Sequence, residues 1–126
     1  MTPRSIGILT LILAMAVESF AQMGLKIGAG GGPGILSSPY RERALRWPVT
    51  ASARTWMAGG VSAYAVEIFL YTLALHLLDV STAFPMGSLC FVGVALLSKV
   101  FLGEAVGPVR WLGVCCILAG TVFLGL

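Results

Sequence analysis

The amino-acid sequence predicts an all-α membrane protein with four transmembrane helices. Of its 126 residues, 58% are hydrophobic and 10% are charged, and the mean hydropathy is +0.96. Soluble domains carry roughly 25% charged residues. Non-helical backbone cannot face lipid, and a spanning helix needs about 20 apolar residues. We expect a single transmembrane domain with spans at about residues 5–27, 54–76, 80–102 and 108–126, a long loop at 28–53 and no soluble domain.

The first span carries a carboxylate, Glu18, near its middle. The apolar run continues to Ile27, which is too long for the apolar core of a signal peptide. Gln22 and Lys26 follow Glu18 at i+4 and i+8, so the three side chains share one helix face. An ionised carboxylate at the bilayer centre costs at least about 2.5–3.5 kcal/mol. We therefore expect Glu18 to face a polar cavity, pair with a cation or hold a proton.

The long loop begins with a glycine-rich stretch, residues 28–34, in which no Gly-Lys-Ser/Thr follows. It is therefore a flexible helix exit and not a phosphate loop. The segment after it fits a short helix lying on the cytoplasmic surface, with Tyr40 and Trp47 as interface anchors. Its arginines either serve as a topology signal or bind a phospholipid-like headgroup, and both interpretations remain open. These arginines are Arg41, Arg43 and Arg46.

The second span carries Tyr64, Glu67 and Tyr71 at i, i+3 and i+7, which puts them on one face. Glu67 falls at a depth similar to that of Glu18. A bundle that turns both inward builds a polar chamber closed by two carboxylates, and burial favours their protonated form. The alternative is a structural hydrogen bond between helices, made by a protonated glutamate.

The third and fourth spans add a proline, a lysine and two glycines. Pro85 lies near the start of span 3 and is tolerated there with a small kink. Lys99 lies near the other end, from which it can snorkel to the interface. Pro108 suits the first turn of span 4. Gly113 and Gly120 lie on one stripe of that span, which permits close helix approach.

The basic residues are distributed very unequally between the two faces of the predicted membrane domain. Arg4 is the one basic residue on the face of the termini. By the positive-inside rule, the long loop is cytoplasmic and both termini are outside. The seven basic residues at the loop face are Lys26, Arg41, Arg43, Arg46, Arg54, Lys99 and Arg110.

No residue pattern indicates catalysis. Cys90, Cys115 and Cys116 fall inside spans without metal-ligand spacing, and His76 beside Asp79 fits a solvated turn. We expect no enzyme activity, no metal, no cofactor and no nucleic-acid partner.

The stretch Glu18–Lys26 resembles the first helix of the small multidrug resistance family, with a membrane Glu followed eight residues later by Lys. Gly113 and Gly120 match the spacing of its helix-4 dimer contact. This resemblance implies the drug/metabolite transporter superfamily, a four-helix bundle that dimerises, and Glu18 as a proton and substrate site. Phe84 stands where that family has a substrate-packing Tyr, and Gly87 where it has a Trp.

The segment Ser81–Leu89, with Glu104 and Trp111-Leu112-Gly113, resembles another branch. That branch comprises the small EamA-like subunits of the aminoarabinose-phosphoundecaprenol flippase in the bacterial inner membrane. It often lacks a residue like Glu18, but the long basic loop suits its anionic lipid better than a hydrophobic cation.

Three functions follow as hypotheses: a flippase or flippase subunit for a polyprenyl-phosphate sugar, a proton-coupled exporter of small cations, and an accessory subunit. The expected partners are the lipid-linked sugar, membrane lipids, and a second copy or a related four-helix subunit. The candidate substrate and proton site comprises Glu18, Gln22, Lys26, Tyr64, Glu67, Tyr71, Phe84 and Ser88. The candidate lipid-phosphate residues are Arg41, Arg43, Arg46 and Lys99, and the candidate dimer contacts are Gly113 and Gly120.

Overall fold

The computed structural model describes residues 2–46 and 52–125, and these residues form helices joined by short connections, without a strand. The predicted all-α class is thereby confirmed. Three segments are long and apolar enough to cross a membrane, namely α1, α3, and α4 together with α5. The α-helices are α1 (Pro3–Ala29), α2 (Ser38–Arg46), α3 (Ala53–Leu77), α4 (Val80–Met86), α5 (Leu89–Phe101) and α6 (Pro108–Gly125), with a 3-10 helix at Pro33–Ile35.

Helix α1 extends two residues beyond the predicted span at each end because both of its ends are capped. The Thr2 Oγ1 accepts a hydrogen bond from the Ser5 backbone N–H at 3.2 Å, and Pro3 occupies the first turn, where an N–H would be unpaired. At the other end, the Gly30 N–H donates to the Lys26 carbonyl at 2.9 Å. The helix can therefore run unbroken past Glu18.

Glycines bring α1 and α3 into close contact. A Cβ on Gly60 would lie 3.0 Å from the Ala21 carbonyl oxygen, and a Cβ on Gly24 would lie 3.2 Å from the Trp56 carbonyl oxygen. Small side chains matter in a membrane because lipid tails are as apolar as leucine, so helices associate through close packing. This glycine seam fixes how α1 and α3 face each other, and hence how Glu18 faces Glu67.

The glycine-rich stretch forms the turn that ends α1. Gly31 and Gly32 adopt φ values of 92° and 118°, a region that favours glycine. The chain then enters α2, which has no buried residue. The Ser37 N–H donates to the Phe101 carbonyl at 2.7 Å, and the Tyr40 and Phe101 ring centroids lie 4.6 Å apart. A short helix therefore forms where one was predicted; Trp47, the second expected anchor, lies outside the described residues.

The third predicted span consists of two helices separated by a short interruption after Pro85, and together they remain one candidate span, Val80–Phe101. The small kink expected at Pro85 stays a prediction. Helix α4 ends at Met86, and α5 begins at Leu89. Pro85 has no N–H to donate, and its ring crowds the carbonyl one turn earlier. After Pro85, the chain tightens into i→i+3 turns. The Ser88 N–H donates to the Pro85 carbonyl, and the Cys90 N–H donates to the Gly87 carbonyl.

Helix α6 is the shortest of the predicted spans. Its 18 residues extend about 27 Å at 1.5 Å per residue, against a hydrocarbon core of about 30 Å. The Lys99 Nζ lies 5.0 Å from the centroid of the Trp111 ring, which connects the ends of α5 and α6. A helix therefore forms where the fourth span was predicted, and that it crosses the membrane stays a prediction.

The connections divide the bundle into two ends. At one end, Lys26 in the last turn of α1 pairs with Glu104 between α5 and α6, and Ser37 before α2 bonds Phe101. At the other end, the Arg4 guanidinium donates to the Leu124 carbonyl at 3.4 Å. Arg4 is thus separated from the end where α2 and the other basic residues gather.

Ser19 is the one buried polar side chain among the described residues, and its loss gives a first prediction. Its hydroxyl donates to the Met15 carbonyl at 2.8 Å and to the Cys90 carbonyl, across the α1–α5 contact, at 3.3 Å. We expect Ser19→Ala to lower the free energy of unfolding by about 1 kcal/mol, measured by denaturant titration in mixed micelles.

The matched control is Ser62→Ala. Ser62 is exposed on α3 and bonds a carbonyl of its own helix, that of Ala58, at 2.8 Å. We expect its loss to change stability by less than about 0.5 kcal/mol. Equal effects of the two substitutions would contradict an interhelical role for Ser19.

Candidate functional site

A cleft of about 440 Å³ lies between α1, α3 and the interruption between α4 and α5. Glu18 on α1 and Glu67 on α3 both line it. Each is partly buried in the bundle. Two carboxylates on different helices thus open into one space, which we call the carboxylate cleft. Its lining residues are Met15, Glu18, Glu67, Tyr71, Phe84, Pro85, Gly87, Ser88, Cys90 and Phe91.

The glycine seam and helix periodicity place the two carboxylates together. Gly24 and Gly60 hold α1 and α3 at close range, and Glu18 and Glu67 lie about two turns from these contacts. Tyr71 follows Glu67 by four residues, on the same face of α3, and also lines the cleft. Close backbone approach therefore brings Glu18, Glu67 and Tyr71 to a common space.

The helix interruption forms the third wall. Phe84, Pro85, Gly87 and Ser88 all line the cleft, and they are the residues around the break. Ser88 is partly buried, and its hydroxyl donates to the Pro85 carbonyl at 2.7 Å. Phe84 is 75% exposed, so its ring lies at the rim of the cleft. An interrupted helix is tolerated at membrane depth where its backbone lines a cavity.

Two residues of the predicted polar face lie elsewhere. Gln22 and Lys26 line a separate cleft of about 120 Å³ against α5 and the end of the bundle. Each successive i+4 step rotates the side chain by about 40° around the helix, because a turn takes 3.6 residues. Over eight residues that drift carries Lys26 from the side of Glu18 toward α5.

Lys26 has a partner of its own. Its Nζ lies 2.6 Å from the Glu104 Oε1, and the two side chains are 56% and 39% exposed. Lys26 therefore links α1 to the α5–α6 connection. Tyr64 is partly buried on α3 one turn before Glu67 and does not belong to the residues that line the carboxylate cleft.

The candidate phosphate-binding residues form an exposed basic group at the α2 end. Arg41, Arg43 and Arg46 are all exposed along α2, and Lys99 is exposed at the end of α5. The Arg41 Nη2 donates to the Ser38 Oγ at 3.5 Å. The exposed guanidinium groups provide planar donors of the geometry that binds phosphate oxygens in pairs.

The candidate dimer glycines lie on an open surface. Gly113 and Gly120 are exposed on α6, and a Cβ added at either position would meet nothing within 4 Å. This stripe takes no part in packing within the described chain, in contrast to Gly24 and Gly60.

Several lining residues and the glycine seam were not predicted from the sequence. Met15, Cys90 and Phe91 are apolar positions that cannot be told from core by type alone. The seam did carry a signal, because Gly24 and Gly28 form a Gly-x-x-x-Gly pair, the spacing common at membrane helix contacts. Among residues 2–46 and 52–125, no three His, Cys, Asp or Glu side chains lie close enough to hold a metal ion.

The chain is similar to curated bacterial proteins that share one description, "probable 4-amino-4-deoxy-L-arabinose-phosphoundecaprenol flippase subunit ArnE". That of Photorhabdus laumondii is 36% identical over 76 residues, 60% of this chain and 67% of the relative. That of Salmonella typhimurium is 36% identical over 83 residues, 62% and 75% of the respective chains. That of Pseudomonas savastanoi is 33% identical over 78 residues, 61% and 68%. No family model and no solved structure matches the chain.

Proposed function

We propose that this chain, which belongs to the ArnE family of flippase subunits, moves a polyprenyl-phosphate-linked amino sugar across the bacterial inner membrane. The ligand class is that of 4-amino-4-deoxy-L-arabinose-phosphoundecaprenol, the lipid named in the descriptions of its relatives. Three chemical parts must be accommodated: an amine on a sugar, a phosphate and a long apolar chain.

The observation that carries the proposal is the pair of carboxylates in one cleft. An ammonium group on the sugar would be attracted to Glu18 and Glu67, and charge-assisted hydrogen bonds are stronger than neutral ones. The cleft volume of about 440 Å³ lies within the roughly 300–1,000 Å³ of ordinary ligand pockets, enough for a sugar headgroup but not for the lipid chain. The apolar chain would remain outside this cleft.

The phosphate would meet the basic end of the bundle. In the proposal, α2 lies on the cytoplasmic surface with both chain termini outside, as the positive-inside rule favours. Arg41, Arg43, Arg46 and Lys99 would gather the lipid phosphate there before the sugar enters the carboxylate cleft. The grouping of the basic residues at one end of the bundle supports this orientation.

We further propose that α6 forms the fourth span and a dimer contact. The exposed stripe of Gly113 and Gly120 offers a flat surface for a helix of a second copy or of a related four-helix subunit. Cys116 is exposed on α6 between the two glycines, so it is a native cross-linking site. A thiol cross-linker that fails to trap any dimer through Cys116 in membranes would count against this contact.

The experiment that tests the function measures translocation of labelled 4-amino-4-deoxy-arabinose-phosphoundecaprenol in proteoliposomes. The full chain is reconstituted alone and with a related four-helix subunit, and outward-facing headgroup is quantified against empty liposomes. Headgroup transfer above that background supports the proposal. No transfer in either reconstitution would overturn it, provided that the protein is inserted and folded.

A proton-coupled exporter of small organic cations is the second candidate, and the aromatic lining favours it. Tyr71, Phe84 and Phe91 line the same cleft as the carboxylates, and aromatic faces attract organic cations. Proton-linked release of such cations, without headgroup transfer, would favour this exporter. An accessory role would be favoured if Glu18→Gln and Glu67→Gln each left the assembled transporter fully active.

The ion pair of Lys26 gives a second prediction. Because both side chains are substantially exposed, the pair contributes at most about 1 kcal/mol to stability. We expect Lys26→Gln to lower headgroup transfer less than about fivefold, which corresponds to about 1 kcal/mol. Initial transfer rates in the same liposomes check this.

The control for Lys26→Gln is a substitution of its ion-pair partner, Glu104. If the ion pair is what matters, Glu104→Gln should have the same small effect, and the exchanged pair Lys26→Glu with Glu104→Lys should restore the rate. A large loss in Lys26→Gln with no loss in Glu104→Gln would instead put Lys26 in the transport path.

A further inference from the structure

A second groove, made of apolar and aromatic side chains, lies between the basic helix α2 and the bundle. It encloses about 230 Å³ and is separate from the carboxylate cleft. We call it the α2 groove. Its lining residues are Phe20, Met23, Ile27, Leu36, Tyr40, Ala44, Trp56 and Phe101.

Helix α2 covers this groove with one face and presents cations on the others. Tyr40 and Ala44, one turn apart, line the groove and are partly buried. Arg41, Arg43 and Arg46 are exposed, and the helix carries three arginines against one glutamate. An apolar space and a set of guanidinium groups thus share a single helix of nine residues.

Contacts with the end of α5 hold α2 in place over the α2 groove, and the groove opens at one side. The Ser37 N–H to Phe101 carbonyl bond and the contact between the Tyr40 and Phe101 rings hold α2 to the end of α5. Met23, Ile27 and Leu36 form a buried floor. Phe20 is 59% exposed, so the groove reaches the outer surface of the bundle, where lipid lies in the proposed membrane orientation.

We propose that the α2 groove holds the phosphate-proximal isoprene units of the polyprenyl-phosphate lipid. The inference rests on the proposed function for the identity of the lipid. It goes beyond it by assigning the tail a site within the protein instead of leaving it in the bilayer.

Charge and size both favour this occupant. A ligand that uses the groove and the arginines together must carry an apolar chain directly attached to an anion, as a prenyl phosphate does. A dry apolar cavity of about 150 Å³ is known to bind benzene, so 230 Å³ is ample for a branched five-carbon unit. Lipid tails are as apolar as the groove, so burial in it gives no hydrophobic gain over the bilayer. The groove would select the prenyl chain by its shape and fix its position, while the arginines attract its phosphate.

The test measures binding of undecaprenyl phosphate to the full-length purified chain in detergent micelles by native mass spectrometry. Ala44→Phe fills the groove from α2, and Leu45→Phe adds a ring at the next position, which is 53% exposed. We expect Ala44→Phe to weaken undecaprenyl phosphate binding at least about tenfold and Leu45→Phe to leave it unchanged. Undecaprenol, which lacks the phosphate, and phosphatidylglycerol are the comparison lipids.

Each outcome decides between occupants. Selective binding of undecaprenyl phosphate that Ala44→Phe alone weakens supports the groove. Equal effects of the two substitutions, absence of binding by the wild-type chain, or equal binding of phosphatidylglycerol would each overturn it. If Ala44→Phe alters the helical circular dichroism, Ala44→Leu and Phe20→Trp replace it, with the same expectations.

The binding assay needs neither the sugar nor transport, so the two proposals fail separately. Binding that depends on the α2 groove, without headgroup transfer, would support this inference and contradict the proposed function. Headgroup transfer that Ala44→Phe does not slow would support the proposed function and contradict this inference.

Discussion

Glu18→Gln is expected to lower headgroup transfer by about a hundredfold or more. In the proposed function, the Glu18 carboxylate pairs with the sugar ammonium inside a partly buried cleft. Removing one partner of a buried ion pair costs about 3–5 kcal/mol, and about 1.4 kcal/mol corresponds to tenfold. Gln keeps the size of the side chain and its hydrogen-bonding oxygen, so the loss isolates the charge. Initial transfer rates in proteoliposomes measure it.

Two controls separate charge from position. Glu18→Asp keeps the charge but withdraws it by one methylene, and we expect a smaller loss than in Glu18→Gln. Glu42→Gln removes a carboxylate from the exposed surface of α2, away from the carboxylate cleft, and should leave the rate within about twofold because isolated surface charges contribute little. Full transfer by Glu18→Gln would contradict the role assigned to the cleft.

Glu67 makes the same experiment more informative. It lines the cleft from α3, opposite α1, so Glu67→Gln tests whether the ammonium needs both carboxylates. If both contact the same group, the double variant should lose less than the product of the two single losses, since residues that share a partner are not additive. Independent losses would instead place the two carboxylates at different steps of transport.

The sequence predicted the helices well because their signals are local. Long apolar runs set the helix positions, and Pro108 marks the start of α6 through its backbone chemistry. The start of α1 at Pro3 was placed two residues too late, because the Thr2 cap was not recognised. The short helix at Ser38–Arg46 likewise follows from a segment with cations and aromatic anchors. Whether all these helices cross or lie on a membrane, and whether the chain dimerises, are properties of its surroundings and stay predictions.

The site was harder to predict because it depends on distances across helices. Spacing put Glu18, Gln22 and Lys26 on one face, but the 40° drift per step separates Lys26 from Glu18 and leads it to Glu104. Pro85 was expected to bend a helix slightly. Two tight turns follow it, closed by the Ser88 and Cys90 N–H groups, and residues of these turns line the carboxylate cleft. Pairing of Lys26 with Glu104 joins residues 78 positions apart, which no local pattern specifies.

Gly60→Leu is expected to lower the free energy of unfolding by about 2–3 kcal/mol, near the upper range of overpacking effects. The reason is backbone, not side chain: a Cβ on Gly60 would lie 3.0 Å from the carbonyl oxygen of Ala21 on the facing helix. It would also lie 3.0 Å from the Leu25 Cγ, so the added side chain would meet both backbone and side-chain atoms of α1. Denaturant titration of the reconstituted or micellar chain, followed by helical circular dichroism, measures the change.

The adjacent Gly59 is a matched control on the same helix. It is exposed, and a Cβ there would meet nothing within 4 Å. Because glycine is about 1 kcal/mol less favourable than good helix formers in a helix interior, Gly59→Leu should leave stability unchanged or raise it slightly. The two substitutions add identical atoms one position apart, so helix propensity cancels and the difference reports the seam alone. Similar losses in both variants would contradict close α1–α3 packing.

The seam also connects stability to transport, because the same contact that Gly60 permits holds Glu18 opposite Glu67. A substitution that only partly separates α1 from α3 should therefore weaken headgroup transfer before it unfolds the chain. Gly60→Ala offers that intermediate case, since its Cβ alone requires a shift of a few tenths of an ångström from Ala21 or Leu25. We expect Gly60→Ala to retain most of its stability while losing transfer, and Gly59→Ala to lose neither. Loss of stability and of transfer in strict proportion would indicate that the seam supports the fold without setting the distance between the carboxylates.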